Sequence, residues 1–201
     1  MNSGRLIYVI GPSGCGKDSV MAYARRRCPG SEAAFAHRYI TRSAEAGGEN
    51  HIHLEPDEFE ARARCGVFAL HWNSHGHRYG IGCEVDAWME AGFNVVVNGS
   101  RAYLPEAARR YPDMIPTLIA VETDILRQRL LARGRESTAE IECRLEQAEA
   151  YVVSHPELRI IDNNGELQQA GNALLALARN GCSVRGGSCS QALLPGRQPL
   201  A

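Results

Sequence analysis

Gly11-Pro12-Ser13-Gly14-Cys15-Gly16-Lys17 is the stretch whose residue types and spacing most directly imply chemistry. Three glycines at these intervals let successive backbone N–H groups turn inward around phosphate oxygens. Lys17 then stands where it can bridge the β- and γ-phosphates of a nucleotide and follow charge as a phosphoryl group moves. The residue after this lysine is ordinarily Ser or Thr, whose hydroxyl contacts Mg²⁺. Here it is Asp18, followed by Ser19. A carboxylate is an oxygen ligand suited to Mg²⁺, which makes Asp18 a candidate metal ligand. It also suits the positive end of a helix dipole, and that alternative stays open.

Such a loop works only between a strand and a helix. Arg5 to Ile10 is an apolar run of β-formers, and Ser19 to Arg27 reads as a helix stopped by Pro29-Gly30. Further strands are expected at Ala34 to Ile40, Val67 to Trp72, Phe93 to Val97, Met114 to Val121 and Leu158 to Ile161. Helices are expected at Pro56 to Cys65, Val85 to Ala91, Leu104 to Tyr111, Asp124 to Arg133, Ser137 to Val153 and Leu167 to Arg179. Thr41 to His53 is polar and loop-like, and His75-Gly76 reads as a turn. Strands alternating with helices argue for an α/β fold, a parallel sheet sandwiched by helices. Residues 1–180 form one domain in this reading; Gly181 to Ala201, rich in Gly, Ser and Pro, reads as a disordered tail.

A net charge of −1 gives no global attraction to nucleic acid or an anionic membrane, so anion binding must come from local arginine clusters. Seven cysteines without a CxxC pair fit reduced thiols better than a disulfide framework or a metal site. No run approaches a membrane span and no leader pattern precedes the first strand, so the cytoplasm is the expected compartment.

The motifs Gly11 to Lys17, Thr41-Arg42, Tyr79-Gly80 and Arg129-Leu130 through Arg133-Gly134 to Arg144-Leu145 resemble guanylate kinase in order and spacing, over roughly residues 5 to 178. The resemblance implies a P-loop kinase core, an acceptor-binding insertion at about 35–90 and a lid at about 130–146. It implies that Gly11, Pro12, Ser13, Gly14, Cys15, Gly16, Lys17, Asp18 and Ser19 bind ATP with Mg²⁺. Asn163, in the turn Asp162-Asn163-Asn164, would line the adenine pocket, although Asn-Asn-Gly is also simply a good turn. Arg42 and Tyr79 would grip the acceptor phosphate, and Arg133, Arg144 and the adjoining Arg135 would neutralise charge on the transferring group.

The guanine-reading positions depart from that family. Its acid is replaced by Leu70, the hydroxyl residue after Tyr-Gly by Ile81, and the acidic strand end by Val95-Val96-Val97-Asn98. The arginine expected before Gly-Glu is missing from Glu45-Ala46-Gly47-Gly48-Glu49. A site that reads a base by hydrogen bonds cannot lose its acceptor and stay selective, and no carboxylate is expected to remain for a purine edge. Arg38, His71, His75, His77, Arg78 and Arg101 instead bring cations to the same region. Together with Gly-Lys-Asp-Ser, these segments resemble the ribose 1,5-bisphosphate phosphokinase branch, which forms 5-phosphoribosyl 1-diphosphate in phosphonate breakdown. Arg38, His71, Arg78 and Arg101 are then candidates for the 5-phosphate, Asn98 and Ser100 for ribose hydroxyls, and Glu49 for orienting Arg42 or a water.

The partner implied is a small phosphorylated sugar, with neither nucleic acid nor membrane, and a homodimer is compatible with it. Two other readings stay open: a true nucleoside monophosphate kinase, and a non-catalytic guanylate kinase-like binding module. The intact loop glycines and lysine argue against the module.

Overall fold

The computed structural model describes residues 3–43, 51–134 and 137–179. Strands β1 (Leu6–Ile10), β2 (Ala33–Phe35), β7 (Asn94–Asn98), β8 (Ile115–Ala120) and β9 (Arg159–Asp162) form a five-stranded sheet in the order β2-β7-β1-β8-β9. Every pairing in it is parallel. Its central strands β1 and β7 are buried along their whole length because both faces are covered. Leu6, Tyr8, Ile10, Val95 and Val97 enter one core, while Ile7, Val9 and Val96 enter the other, as the two-residue period of a strand requires.

The second core is closed by α1 (Lys17–Arg27) and α7 (Leu167–Arg179). These helices approach so closely that a Cβ on Gly171 would sit 2.2 Å from the Tyr23 ring. The first core takes α3 (Glu84–Glu90) and α4 (Leu104–Arg110). It also receives the inner face of a second sheet, made of β3 (Arg38–Ile40), β4 (Ile52–His53), β5 (Phe68–Ser74) and β6 (His77–Gly82), in the order β4-β3-β6-β5. The outer face of that sheet packs on α2 (Pro56–Arg64) through Phe59, Phe68 and Tyr39. A two-residue turn joins β5 to β6, with His75 and Gly76 both at positive φ (47° and 75°), the mirror-image turn that matches strand twist.

The run Ala34 to Ile40 is therefore not one strand. It divides at Ala36-His37 into β2 and β3, which belong to different sheets. Helix α1 begins at Lys17, two residues earlier than expected, because the loop closes directly into the first helical turn. The remaining helices are α5 (Thr123–Arg133) and α6 (Thr138–Ala150). They pack together through Leu126, Leu130, Ile141 and Leu145. Ser137 and Glu140 form a capping box at the start of α6. The tail at 181–201, Glu49 and Arg135 lie outside the described residues. Among the described residues, no helix is long and apolar enough to cross a membrane, and all five cysteines are free thiols.

Candidate active site

Gly14 and Gly16 take φ of 90° and 86°, a left-handed conformation that side chains resist. A Cβ on Gly14 would also lie 2.8 Å from Leu130, so the loop rests on α5. Gly16 caps α1 with no side chain, leaving the first-turn amides directed at an incoming anion. The loop is braced from below. Asn163, buried after β9, donates from Nδ2 to the Cys15 carbonyl at 2.7 Å. Arg129 donates to the carbonyls of Asn163 (2.8 Å) and Cys15 (3.4 Å). Asn163 thus touches the loop backbone. The sequence offered Arg129 only as one member of a motif, and its bracing role needed the contact itself.

Lys17, Asp18 and Asn98 form one cluster. Lys17 Nζ donates to Asn98 Oδ1 and lies 3.6 Å from Asp18 Oδ1. Asn98 Nδ2 donates to the same Asp18 oxygen at 2.9 Å. Burial alone would raise the Asp18 carboxyl, but Lys17, Arg38 and the Asn98 donor outweigh it and hold the group below the usual carboxylate range. Asn98 is 3% exposed, with both ends of its amide engaged. Expected from the sequence to meet ribose hydroxyls, it here spans the cation and the carboxylate of the phosphate loop. Burial pushes the Cys15 thiol up, disfavouring the thiolate.

The next turn of chain is fixed by Tyr8, whose buried phenol donates to the Ser100 carbonyl (3.2 Å) and accepts from Ser100 N–H (2.9 Å). Gly99 is required there because a Cβ would fall 2.4 Å from the Tyr8 ring. Arg101 turns toward α6, donating to the Ala148 carbonyl at 3.3 Å and lying over the Tyr151 ring. On the opposite side of the loop Arg144 of α6 donates to Ser13 Oγ at 2.7 Å. Arg133 is exposed at the end of α5.

Across from the loop, the inner face of the four-stranded sheet carries Arg38 over the Tyr79 ring, 4.9 Å to its centroid. Tyr79 stacks on Trp72 (5.7 Å, 7° between planes), and Trp72 stacks on Tyr103 (5.4 Å). The Arg42 carbonyl accepts from His51 and His53, while its Nε is buried with no hydrogen-bond partner. An orphaned guanidinium donor of this kind suits an anion that completes it. His71 and Arg78 are on the other face. His71 pairs with Gly80 and lies beside the Phe68 ring, and Arg78 forms an ion pair with Glu60 of α2 at 2.9 Å. They are not brought together with Arg38 and Tyr79. His77 is partly buried and His75 sits in the hairpin turn. Leu70 and Ile81 are buried on the inner face, at 2% and 0% exposure. A carboxylate does stand near Leu70, contrary to expectation: Glu106 of α4 lines a cavity with it.

Among the described residues, no three His, Cys, Asp or Glu side chains converge into a metal cage. A divalent ion here would rely on Asp18 together with nucleotide phosphates, which is how Mg²⁺ is commonly held.

The phosphate loop, the parallel sheet behind it and the helical pair over it define a P-loop kinase of the guanylate kinase architecture. A guanylate kinase from Anaplasma phagocytophilum superimposes with a TM-score of 0.66 over 90% of this chain and 88% of that one, at 15% identity. The chain belongs to the ribose 1,5-bisphosphate phosphokinase family. It is 53% identical over 180 residues to "Ribose 1,5-bisphosphate phosphokinase PhnN" of Thiobacillus denitrificans, covering 88% of this chain and 94% of that protein. To the protein of the same name from Desulfomicrobium baculatum it is 56% identical over 174 residues, covering 86% and 93%. No family model matches the chain.

Proposed function

We propose that this chain transfers the γ-phosphoryl group of ATP to the 1-phosphate of ribose 1,5-bisphosphate, releasing ADP and 5-phosphoribosyl 1-diphosphate in phosphonate breakdown. The observation that carries the substrate is the inner face of the four-stranded sheet. Leu70 and Ile81 are buried where a base reader would need an acid and a hydroxyl, and Arg38 lies over Tyr79. The names of the half-identical relatives support the same reading.

In this reading the sheet and α2, within about residues 35–90, hold the acceptor, and the α5–α6 pair, at about 130–146, is the lid of a single domain over 1–180. An oxygen of the 1-phosphate attacks the γ-phosphorus while the bond from that phosphorus to the β,γ-bridging oxygen breaks. The attacking oxygen is already anionic near neutral pH, so alignment and charge neutralisation do the catalysis and no strong base is needed. Arg42 and Tyr79 hold the acceptor phosphate. Lys17 and the first-turn amides of α1 stabilise the migrating charge, joined by Arg144, Arg133 and Arg135. Asp18 would hold Mg²⁺, which supplies charge neutralisation between the phosphates when bound.

The test is phosphorus NMR with ATP and either ribose 1,5-bisphosphate or GMP. Ribose 1,5-bisphosphate is expected to yield a diphosphate at C1, with kcat/KM for GMP at least about 10²-fold lower. Preferred turnover of GMP would sink the substrate. A folded protein that consumes ATP with neither acceptor would be a binding module.

A further inference from the structure

A cavity of about 410 Å³ lies between β5 and α4, lined by Ala69, Leu70, Tyr103, Glu106, Arg109 and Arg110. That volume lies within the range of small-molecule sites. The spacing of Tyr103, Glu106 and Arg110 puts them along one face of a helix, with Arg109 beside them. We propose that this cavity is the subsite for the pentose and 5-phosphate of the acceptor. Arg109 and Arg110 hold the phosphate, and Glu106 accepts from ribose hydroxyls. The inference rests on the reaction proposed above.

Three observations converge on it. The first is continuity with the acceptor grip: the ring stack from Tyr79 through Trp72 ends at Tyr103, which is itself a wall of the cavity. One stack of rings, its first two buried in the core, therefore connects Arg38 to the wall of the cavity.

The second is preorganisation. Arg110 donates from Nη2 to Asp86 (2.9 Å) and from Nε to the Tyr111 hydroxyl (3.3 Å), and Tyr111 donates to Asp86 at 2.6 Å. The guanidinium is thus held from behind, with Nη1 left to offer a ligand. Asp86 is the second carboxylate of the neighbourhood, and it is occupied by that pair. The lining itself then presents two cations to one anion, Glu106. Guanidinium forks for a phosphate and a carboxylate for vicinal hydroxyls together match a sugar phosphate.

The third is the position of the rival cations. His71 and Arg78 project from the other face of the sheet, and Arg78 is paired with Glu60. Arg101 is directed toward α6.

The experiment compares wild type, R109A and R109K as full chains. Calorimetric titration with ribose 5-phosphate is one readout, and KM for ribose 1,5-bisphosphate is the other. Arg109 is exposed on α4, so equal melting temperatures are expected and confirm folding. R109A is expected to weaken ribose 5-phosphate binding, or raise KM for the bisphosphate, by about 10–100-fold, with partial recovery in R109K. If R109A changes neither quantity, the subsite is overturned while turnover by the wild type keeps the reaction. If ribose 5-phosphate binds through Arg109 but the wild type forms no diphosphate, the subsite stands and the reaction falls.

Discussion

Asn98 offers one amide to two opposite charges, accepting from Lys17 and donating to Asp18. Removing it leaves an ammonium and a carboxylate without their shared spacer. N98A is therefore expected to lower kcat by about 10–100-fold and to shift Mg²⁺ activation to higher concentration, read by titrating the metal at saturating ATP. K17A removes the migrating-charge donor itself and should lower kcat by about 10²–10³-fold in the same assay. Asp18 also makes a pH prediction. Its folded carboxyl is held below the ordinary value, so the stability it contributes is complete above that value and is lost as pH falls through the folded one. The melting-temperature difference between wild type and D18N should be constant above about pH 5 and shrink below about pH 4. Sequence shows Lys17 and Asp18 as neighbours of a phosphate loop. That Asn98, eighty positions away, stands between them depends on β7 pairing beside β1, which no local pattern encodes.

Alternation along a strand decides which cations can share a cleft. Arg78 and Tyr79 are adjacent in β6, and Leu70 and His71 are adjacent in β5, so each pair must divide between the two faces. That signal was present in the sequence and is enough to separate Arg78 and His71 from Tyr79. The break between β2 and β3 was not legible, because Ala36-His37 carries none of the turn residues that mark a change of sheet. Helix α6 was legible as a helix, though it ends at Ala150 rather than Val153, and it delivers Arg144 to Ser13. S137A should destabilise the protein by about 1 kcal/mol in urea unfolding. R144A should lower kcat by about 10²–10³-fold with a smaller change in the KM for ATP.

At the scale of the molecule, the alternation of strands and helices announced the parallel sheet, and the loop motif fixed which end of it works. The second sheet was not foreseen as a sheet, since β3 and β4 are only three and two residues long, and its pairings run between β5, β6, β3 and β4 rather than to the main sheet. Holding α7 on α1 keeps the loop's helix in place beneath both. G171A puts a methyl against Tyr23 and is expected to cost about 1–3 kcal/mol in urea unfolding. The stack of Tyr79, Trp72 and Tyr103 has an optical consequence. Of the two tryptophans, Trp88 packs at the edge of the core while Trp72 is buried between two phenols, one of which, Tyr103, walls the cavity. A W88F protein would keep a single indole fluorophore there, and its emission should change when a sugar phosphate enters beside Tyr103, so acceptor arrival can be timed in a stopped-flow instrument without any added dye.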